Sequence, residues 1–127
     1  MSRLATLQES LATVPGTASV WFGPVGTTPV HARLEEATHY AASTMKVAVL
    51  AALYRQVEAG LLDLDQPVPV RNEFVSAAPH TPAFACRRSY DNDDAVWARV
   101  GSSAPLRWLA ERMIVRSSNL ATNLVLG

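Results

Sequence analysis

The sequence predicts a mixed α/β (α+β) chain, in which a helix and two strands are followed by three further helices. Two observations predict this order. Apolar residues recur at helical spacing in four segments, and a β-branched and aromatic run lies beside turn-rich sequence after the first of them. The 127 residues are enough for a single domain of ordinary size with its own core.

The first forty residues predict one helix and two strands. Leucine recurs at helical spacing in the first segment, which predicts a helix over about residues 3–13 that ends at Pro15-Gly16. Two strands are predicted on either side of the turn-rich "GPVGTTP". The first is "TASVWF", residues 17–22, which is rich in β-branched and aromatic residues, and the second is "VHARLEEATHY", residues 30–40.

The most apolar helix is predicted between Ser43, a good N-cap residue, and Gly60, a natural stop. Apolar residues cover most of its circumference, so we expect it to be buried on nearly all sides. Residues 61–104 contain several prolines and a polar patch, which predicts irregular structure with a loop insertion at about 72–104. "APLRWLAERMIV", with Pro105 in its first turn, and "NLATNLVL" predict the last two helices.

Composition and charge exclude several classes of function. Eleven acidic residues balance eleven basic ones without a basic stripe, so we expect no nucleic acid or anionic membrane as a partner, and a small neutral or zwitterionic substrate fits better. The N-terminus lacks a signal-peptide pattern and the longest apolar run is too short to cross a bilayer, which predicts a soluble, cytoplasmic chain. Cys86 and the three histidines lack metal-ligand spacing, so no metal or cofactor is expected.

Ser43 and Lys46, three positions apart at the start of the apolar helix, are the first candidate site residues. The chain contains ten arginines and only this one lysine. Serine attacks only after a base removes its proton, and a buried lysine can be that base because burial lowers its pKa, whereas arginine stays charged. The helix N-terminus offers N–H groups to an oxyanion. The alternative is an N-capping serine followed by a lysine that extends to the surface.

A second candidate element is "RSSNLATNLVLG", in which Ser117 and Asn119 form an SxN pattern between two helices. Taken alone, this segment has a simpler interpretation, with Ser118 as the N-cap of the last helix and Asn119 as a surface residue. The two elements together favour a shared site.

SxxK on an apolar helix followed by SxN between two later helices resembles the penicillin-recognising serine hydrolases, the class A β-lactamases and the penicillin-binding DD-peptidases. The resemblance covers about residues 17–76 and 103–127. It implies the β-lactamase/transpeptidase-like fold, an antiparallel sheet flanked by helices plus an all-helical region. It also implies that Ser43 is the acylated nucleophile, that Lys46 activates it, that Ser117 passes a proton to the leaving nitrogen, and that Asn119 binds the substrate's side-chain amide.

The chain departs from the family's pattern in two places. Ser118 stands where class A enzymes usually have aspartate, and the insertion leaves the aromatic wall of the substrate cleft unassigned, with Tyr90 and Trp97 as candidates. The family's KTG motif and its deacylating glutamate are also not found in the 127 residues, whose single lysine is already used.

These departures lead to the prediction that residues 1–127 are the N-terminal part of one catalytic domain, with a helix and two sheet strands in 1–42 and the nucleophile helix and helical region in 43–127. We expect a chain that is inactive alone, whose ligand is a β-lactam or a D-Ala-D-Ala-like peptide. A DD-peptidase or esterase-like enzyme is the alternative activity. A non-catalytic fragment that forms a homo-oligomer or binds a complementing C-terminal half is the alternative to an enzyme.

Overall fold

A computed structural model describes residues 3–127, and the chain divides into two compact units, Met1–Tyr40 and Ala41–Gly127. The first unit contains helix α1, Arg3–Ala12, and a hairpin of strands β1, Val20–Phe22, and β2, His31–Arg33. The strands are antiparallel, with Trp21 opposite Ala32. The helix agrees with its prediction to one residue, but both strands are shorter than predicted, because pairing is confined to three residues on each side.

The second unit is built around three helices. Helix α2, Met45–Glu58, follows a 3₁₀ turn at Ala42–Thr44, and α4, Leu106–Val115, is joined by a short turn to α5, Asn119–Leu126. Helices α4 and α5 pack together and α2 packs against both of them. The main core lies among these helices and the segments beside them, and its largest fully buried apolar members are Leu109, Met113, Leu120, Val70 and Val96.

Two expectations for α2 are wrong. Ser43 is not its N-cap, because Ser43 lies inside the 3₁₀ turn and the N-cap is Thr44, whose side chain makes no capping hydrogen bond. The helix is also not buried on nearly all sides. Only Lys46 and Leu53 are buried, and Val47 is 63% exposed. The reason is that α4 and α5 cover one face of α2.

The proline-rich region is more regular than predicted. Strand β3, Pro67–Pro69, pairs antiparallel with β4, Ser103–Pro105, and a short helix α3, Asp94–Trp97, lies between them in sequence. The residues flanking β3 provide bonds to the partner segment: Gln66 O accepts from Leu106 N–H at 3.1 Å, and Val70 N–H donates to Ser102 O at 2.9 Å. Prolines occupy intervening positions, where a strand can lack an N–H without losing a bond to its partner.

A partly buried ion pair attaches the segment before α3 to α4. Arg112 donates from Nε to Asp93 Oδ2 at 2.5 Å and from Nη2 to Oδ1 at 2.8 Å, and Asp93 Oδ1 also accepts the Ala95 N–H as the cap of α3. Burial opposes ionisation of Asp93, but the Arg112 hydrogen bonds, the Ala95 N–H and the charges of Arg112 and Arg116 together outweigh it, so the pKa of this carboxyl is lowered. The pair fixes the polar segment that precedes α3.

In the described part of the chain, residues 3–127, no helix is both long and apolar enough to span a membrane.

Candidate active site

Lys46 lies on the first turn of α2 and points into the second unit. It is 4% exposed, and Nζ donates to Ser117 O at 2.7 Å, to Ser117 Oγ at 3.1 Å and to Asn119 Oδ1 at 2.9 Å. The three donors of the ammonium group are therefore all used within the protein. A lysine that extends to the surface, the simpler interpretation of the sequence, is wrong.

The surroundings of Lys46 lower the pKa of its amine. Burial lowers the pKa of the amine because the charged form loses its hydration, and the negative charge of Asp91 opposes this effect without cancelling it. An amine with a lowered pKa is more easily available as a base than an exposed lysine.

Ser43 is exposed, and its hydroxyl is joined to Lys46 by way of Ser117. Ser117 Oγ donates to Ser43 Oγ at 2.9 Å and accepts from Lys46 Nζ at 3.1 Å. Ala42, immediately before Ser43, has φ of 46°, in the left-handed region that residues with a side chain rarely occupy. The serine thus lies on a constrained turn at the entrance to α2, with its hydroxyl directed at a second hydroxyl.

The turn between α4 and α5 places the SxN residues. Ser117 also has a left-handed backbone, with φ of 55°, which turns its carbonyl and its hydroxyl toward the same amine. Ser118 is fully buried and caps α5, since its Oγ accepts the Ala121 N–H at 3.1 Å. The N-cap interpretation of Ser118 is therefore confirmed. This capping role of Ser118 is compatible with a shared site, because Ser117 and Asn119 on either side of it both bind Lys46.

Asn119 lies at the surface but both ends of its amide are bonded. Oδ1 accepts from Lys46, and Nδ2 donates to the backbone carbonyl of Tyr90 at 2.5 Å. The four residues proposed from sequence, Ser43, Lys46, Ser117 and Asn119, thus form one hydrogen-bonded group within Ala41–Gly127.

Sequence patterns identified the Tyr90 side chain as a candidate for this site but missed the Tyr90 carbonyl and Asp91, which contact Asn119 and Leu120. The Tyr90 carbonyl holds Asn119, while the Tyr90 side chain is 71% exposed. The other aromatic candidate, Trp97, is half-buried and packs against the core instead. The polar run "YDNDD" indicated only a turn. Nothing in the residues around it indicates that it contacts residues almost thirty positions later.

Cys86 lies outside this group. Its Sγ accepts from Asn123 Nδ2 at 3.3 Å, and burial raises the pKa of the thiol, so it favours the unreactive protonated form. Among the described residues, no cluster of three or more His, Cys, Asp or Glu side chains could hold a metal ion.

Comparison with known proteins defines the class. The sequence matches the family described as "Beta-lactamase enzyme family" over residues 3–127. The chain therefore belongs to this family, and the resemblance to the serine β-lactamase and penicillin-binding superfamily is confirmed.

A solved structure supports the same fold. The chain is similar to a β-lactamase from Xanthomonas campestris pv. campestris, with a TM-score of 0.67 and 22% sequence identity over 97% of this chain. The predicted fold class, a mixed α/β part of the β-lactamase-like fold, is confirmed by this match. The chain spans 40% of the length of that structure. No curated protein matches the sequence.

Proposed function

We propose that this chain carries the acylation site of a β-lactamase-type serine hydrolase, which opens a β-lactam amide through an acyl-serine intermediate. The observation that carries the proposal is the chain of hydrogen bonds from Ser43 Oγ through Ser117 Oγ to Lys46 Nζ, with links of 2.9 and 3.1 Å. It connects an exposed hydroxyl, which a substrate can reach, to a buried amine with a lowered pKa. Nucleophilic catalysis by serine requires this combination.

The proton of Ser43 leaves by way of Ser117. When Lys46 is neutral, Nζ accepts the Ser117 hydroxyl proton while Ser117 Oγ accepts the proton of Ser43, which reverses the direction of both hydrogen bonds. Ser43 Oγ then forms a bond to the carbonyl carbon of the β-lactam. As the ring C–N bond breaks, the protonated Lys46 returns a proton through Ser117 to the departing nitrogen.

Asn119 retains a donor for the substrate. Its Nδ2 carries two hydrogens, of which one is bonded to the Tyr90 carbonyl, and the second is available to the carbonyl of the substrate's side-chain amide. The exposed ring of Tyr90 belongs to the residue whose carbonyl binds Asn119, and it is our candidate for the aromatic wall of the cleft.

Acylation and turnover make different demands on the chain. The group around Ser43 contains the residues for acylation, whereas the KTG motif and the deacylating glutamate that the resemblance implies are not found in the 127 residues. We therefore propose that this chain acylates slowly and does not turn over, so that the expected inactivity of the chain alone concerns turnover and not acylation. A cytoplasmic location, a single catalytic domain, and a homo-oligomer or a complementing C-terminal half stay predictions.

The test is intact-mass spectrometry of the 127-residue chain after incubation with benzylpenicillin at millimolar concentration. Ring opening expels no atoms, so the expected product is heavier by the whole mass of the penicillin, and peptide mapping should place the addition on Ser43. The adduct should be lost in Ser43→Ala. It should form about 10²–10⁴ times more slowly in Lys46→Ala, the usual contribution of general-base catalysis.

Ser102→Ala is the matched control, because Ser102 is an exposed serine of the same unit whose hydroxyl donates to the Arg99 carbonyl. This variant should acylate like the parent chain. A chain that forms no adduct, or an adduct that persists in Ser43→Ala, would contradict the proposal.

A DD-peptidase or esterase-like enzyme is the second candidate. The observation that favours it is Ser118, which occupies the position where class A β-lactamases usually have aspartate. Competition between benzylpenicillin and a peptide ending in D-Ala-D-Ala distinguishes the two. An adduct formed faster from the peptide, with release of D-alanine, would identify the peptidase.

A further inference from the structure

We propose that Asp91 is a positioning residue of this site, which fixes the Ser117–Asn119 turn and supplies the negative charge that acts on the Lys46 amine. Its consequence for catalysis rests on the proposed function of Ser43 and Lys46. The structural and electrostatic parts can be tested without any substrate.

The carboxylate of Asp91 reaches the start of α5. Its Oδ2 accepts the backbone N–H of Leu120 at 2.7 Å and the hydroxyl of Ser118 at 3.2 Å, while Oδ1 accepts the Asp93 N–H at 3.0 Å. The carbonyl of Tyr90, one residue earlier, accepts from Asn119. Tyr90 and Asp91 therefore bind three consecutive residues, Ser118, Asn119 and Leu120, at the start of α5.

The turn needs such support because Ser117 is in a left-handed conformation, with φ of 55°. A backbone of this kind is unfavourable in a residue other than glycine and persists only where its surroundings fix it. Lys46 holds Ser117 from one side, and Asp91 holds the following residues from the other. The carboxylate that class A enzymes usually carry within SxN is here supplied by a neighbouring segment.

Asp91 differs from the other carboxylates of its segment in its partners. Asp93 is paired with Arg112 and Asp94 with Arg88, whereas no ion pair to a basic side chain is found for Asp91 among residues 3–127. Its charge is therefore not neutralised by a neighbouring arginine, and it raises the pKa of Lys46 against the effect of burial.

The elements packed against α2 add little competing charge. Helix α5 has no charged residue, and α4 carries Arg107, Glu111 and Arg112, of which the two arginines are paired with Asp65 and Asp93. Within α2 itself the other charged residues, Arg55 and Glu58, lie in its C-terminal half. Among the described residues, Asp91 is the charged group that raises the pKa of Lys46.

The single lysine makes the test direct, because a chain labelled with ¹³C,¹⁵N-lysine gives one side-chain signal that needs no assignment. The pH titration of that signal is compared between the parent chain, Asp91→Asn and Asp94→Asn. Asparagine keeps an oxygen that can accept the Leu120 N–H but loses the charge. We expect Lys46 to titrate at lower pH in Asp91→Asn, because burial is then unopposed, and to be unchanged in the exposed control Asp94→Asn.

Asp91→Glu separates charge from geometry. It keeps the carboxylate one methylene further away, so the Lys46 titration should stay near that of the parent while the Leu120 amide exchanges its hydrogen faster. If Asp91→Asn folds and its Lys46 titrates at the same pH as in the parent chain, the proposal that the charge of Asp91 acts on Lys46 is overturned. If Asp91→Asn does not fold, a Leu120 amide equally protected in Asp91→Glu and the parent would overturn the positioning part. Neither readout involves acylation, so both are independent of the proposed function.

Discussion

The two units of the chain differ in where their apolar side chains lie. In Ala41–Gly127, apolar residues from the three long helices and the segments beside them form a buried core. In Met1–Tyr40, none of the described residues is buried, and the hairpin leaves Phe22 61% and Val25 99% exposed. The hairpin is defined by its backbone pairing and the second unit by its packing.

This difference explains where the candidate site lies. Holding an amine against three oxygen acceptors requires rigid support, because a displacement of about 1 Å at a catalytic group is enough to lower its contribution greatly. Helices α2, α4 and α5 provide that support, and all four candidate residues lie on them or on the turns that join them to their neighbours. The difference can be tested by substitutions of graded effect.

The largest effect is expected from Leu109→Ala. Leu109 is fully buried in the main core, so its truncation should lower the free energy of unfolding by about 2–5 kcal/mol, through lost burial and the cavity left behind. Urea unfolding followed by tryptophan fluorescence measures the loss. Leu61→Ala is the matched control, because Leu61 is 70% exposed and its truncation should change stability by less than about 0.5 kcal/mol. Equal losses in the two variants would contradict the core described here.

A smaller effect is expected from Ser118→Ala. This change removes the cap of α5 and a hydroxyl that donates to Asp91, which should lower the free energy of unfolding by about 0.5–2 kcal/mol. The amide of Ala121 should also exchange its hydrogen faster, since it loses its acceptor. Ser102→Ala serves as the comparison, and a Ser118→Ala variant as stable as that control would show that the cap contributes nothing measurable.

The smallest effect is expected from Val25→Ala in the loop of the hairpin. Val25 is 99% exposed, so thermal unfolding should shift by an amount equivalent to less than about 0.5 kcal/mol. A loss greater than about 1 kcal/mol would mean that this loop is packed in solution, and that the contrast between the two units is smaller than their burial indicates.

Sequence patterns predicted the parts of the fold that local signals determine. Helix α5 begins and ends where predicted, because a capping serine, an apolar period and a final glycine all lie within ten neighbouring positions. The burial of Lys46 was predicted for a chemical reason, since a lone lysine in an apolar helix at SxxK spacing is informative. Strands β3 and β4 were missed, because proline argues against a strand unless its outward-facing positions are known.

The parts of the site that sequence could not predict depend on contacts between distant residues. Asp91 and Tyr90 reach Leu120 and Asn119 across 29 positions. Nothing in "SYDNDD" indicates which of its carboxylates turns toward α5 and which ones pair with arginine. The orientation of these carboxylates depends on the ion pair of Asp93 with Arg112, which fixes the segment before α3.

The prolines of β3 also affect how this protein meets other chains. Gln66 and Val70 form backbone hydrogen bonds on the β4 side of β3. Because backbone groups alternate in direction along a strand, the nitrogens of Pro67 and Pro69 face the opposite edge, and neither has a hydrogen to donate. A stray strand therefore finds no donor at these two positions. This edge is protected against the intermolecular pairing that begins aggregation, and the protection is built into its covalent structure.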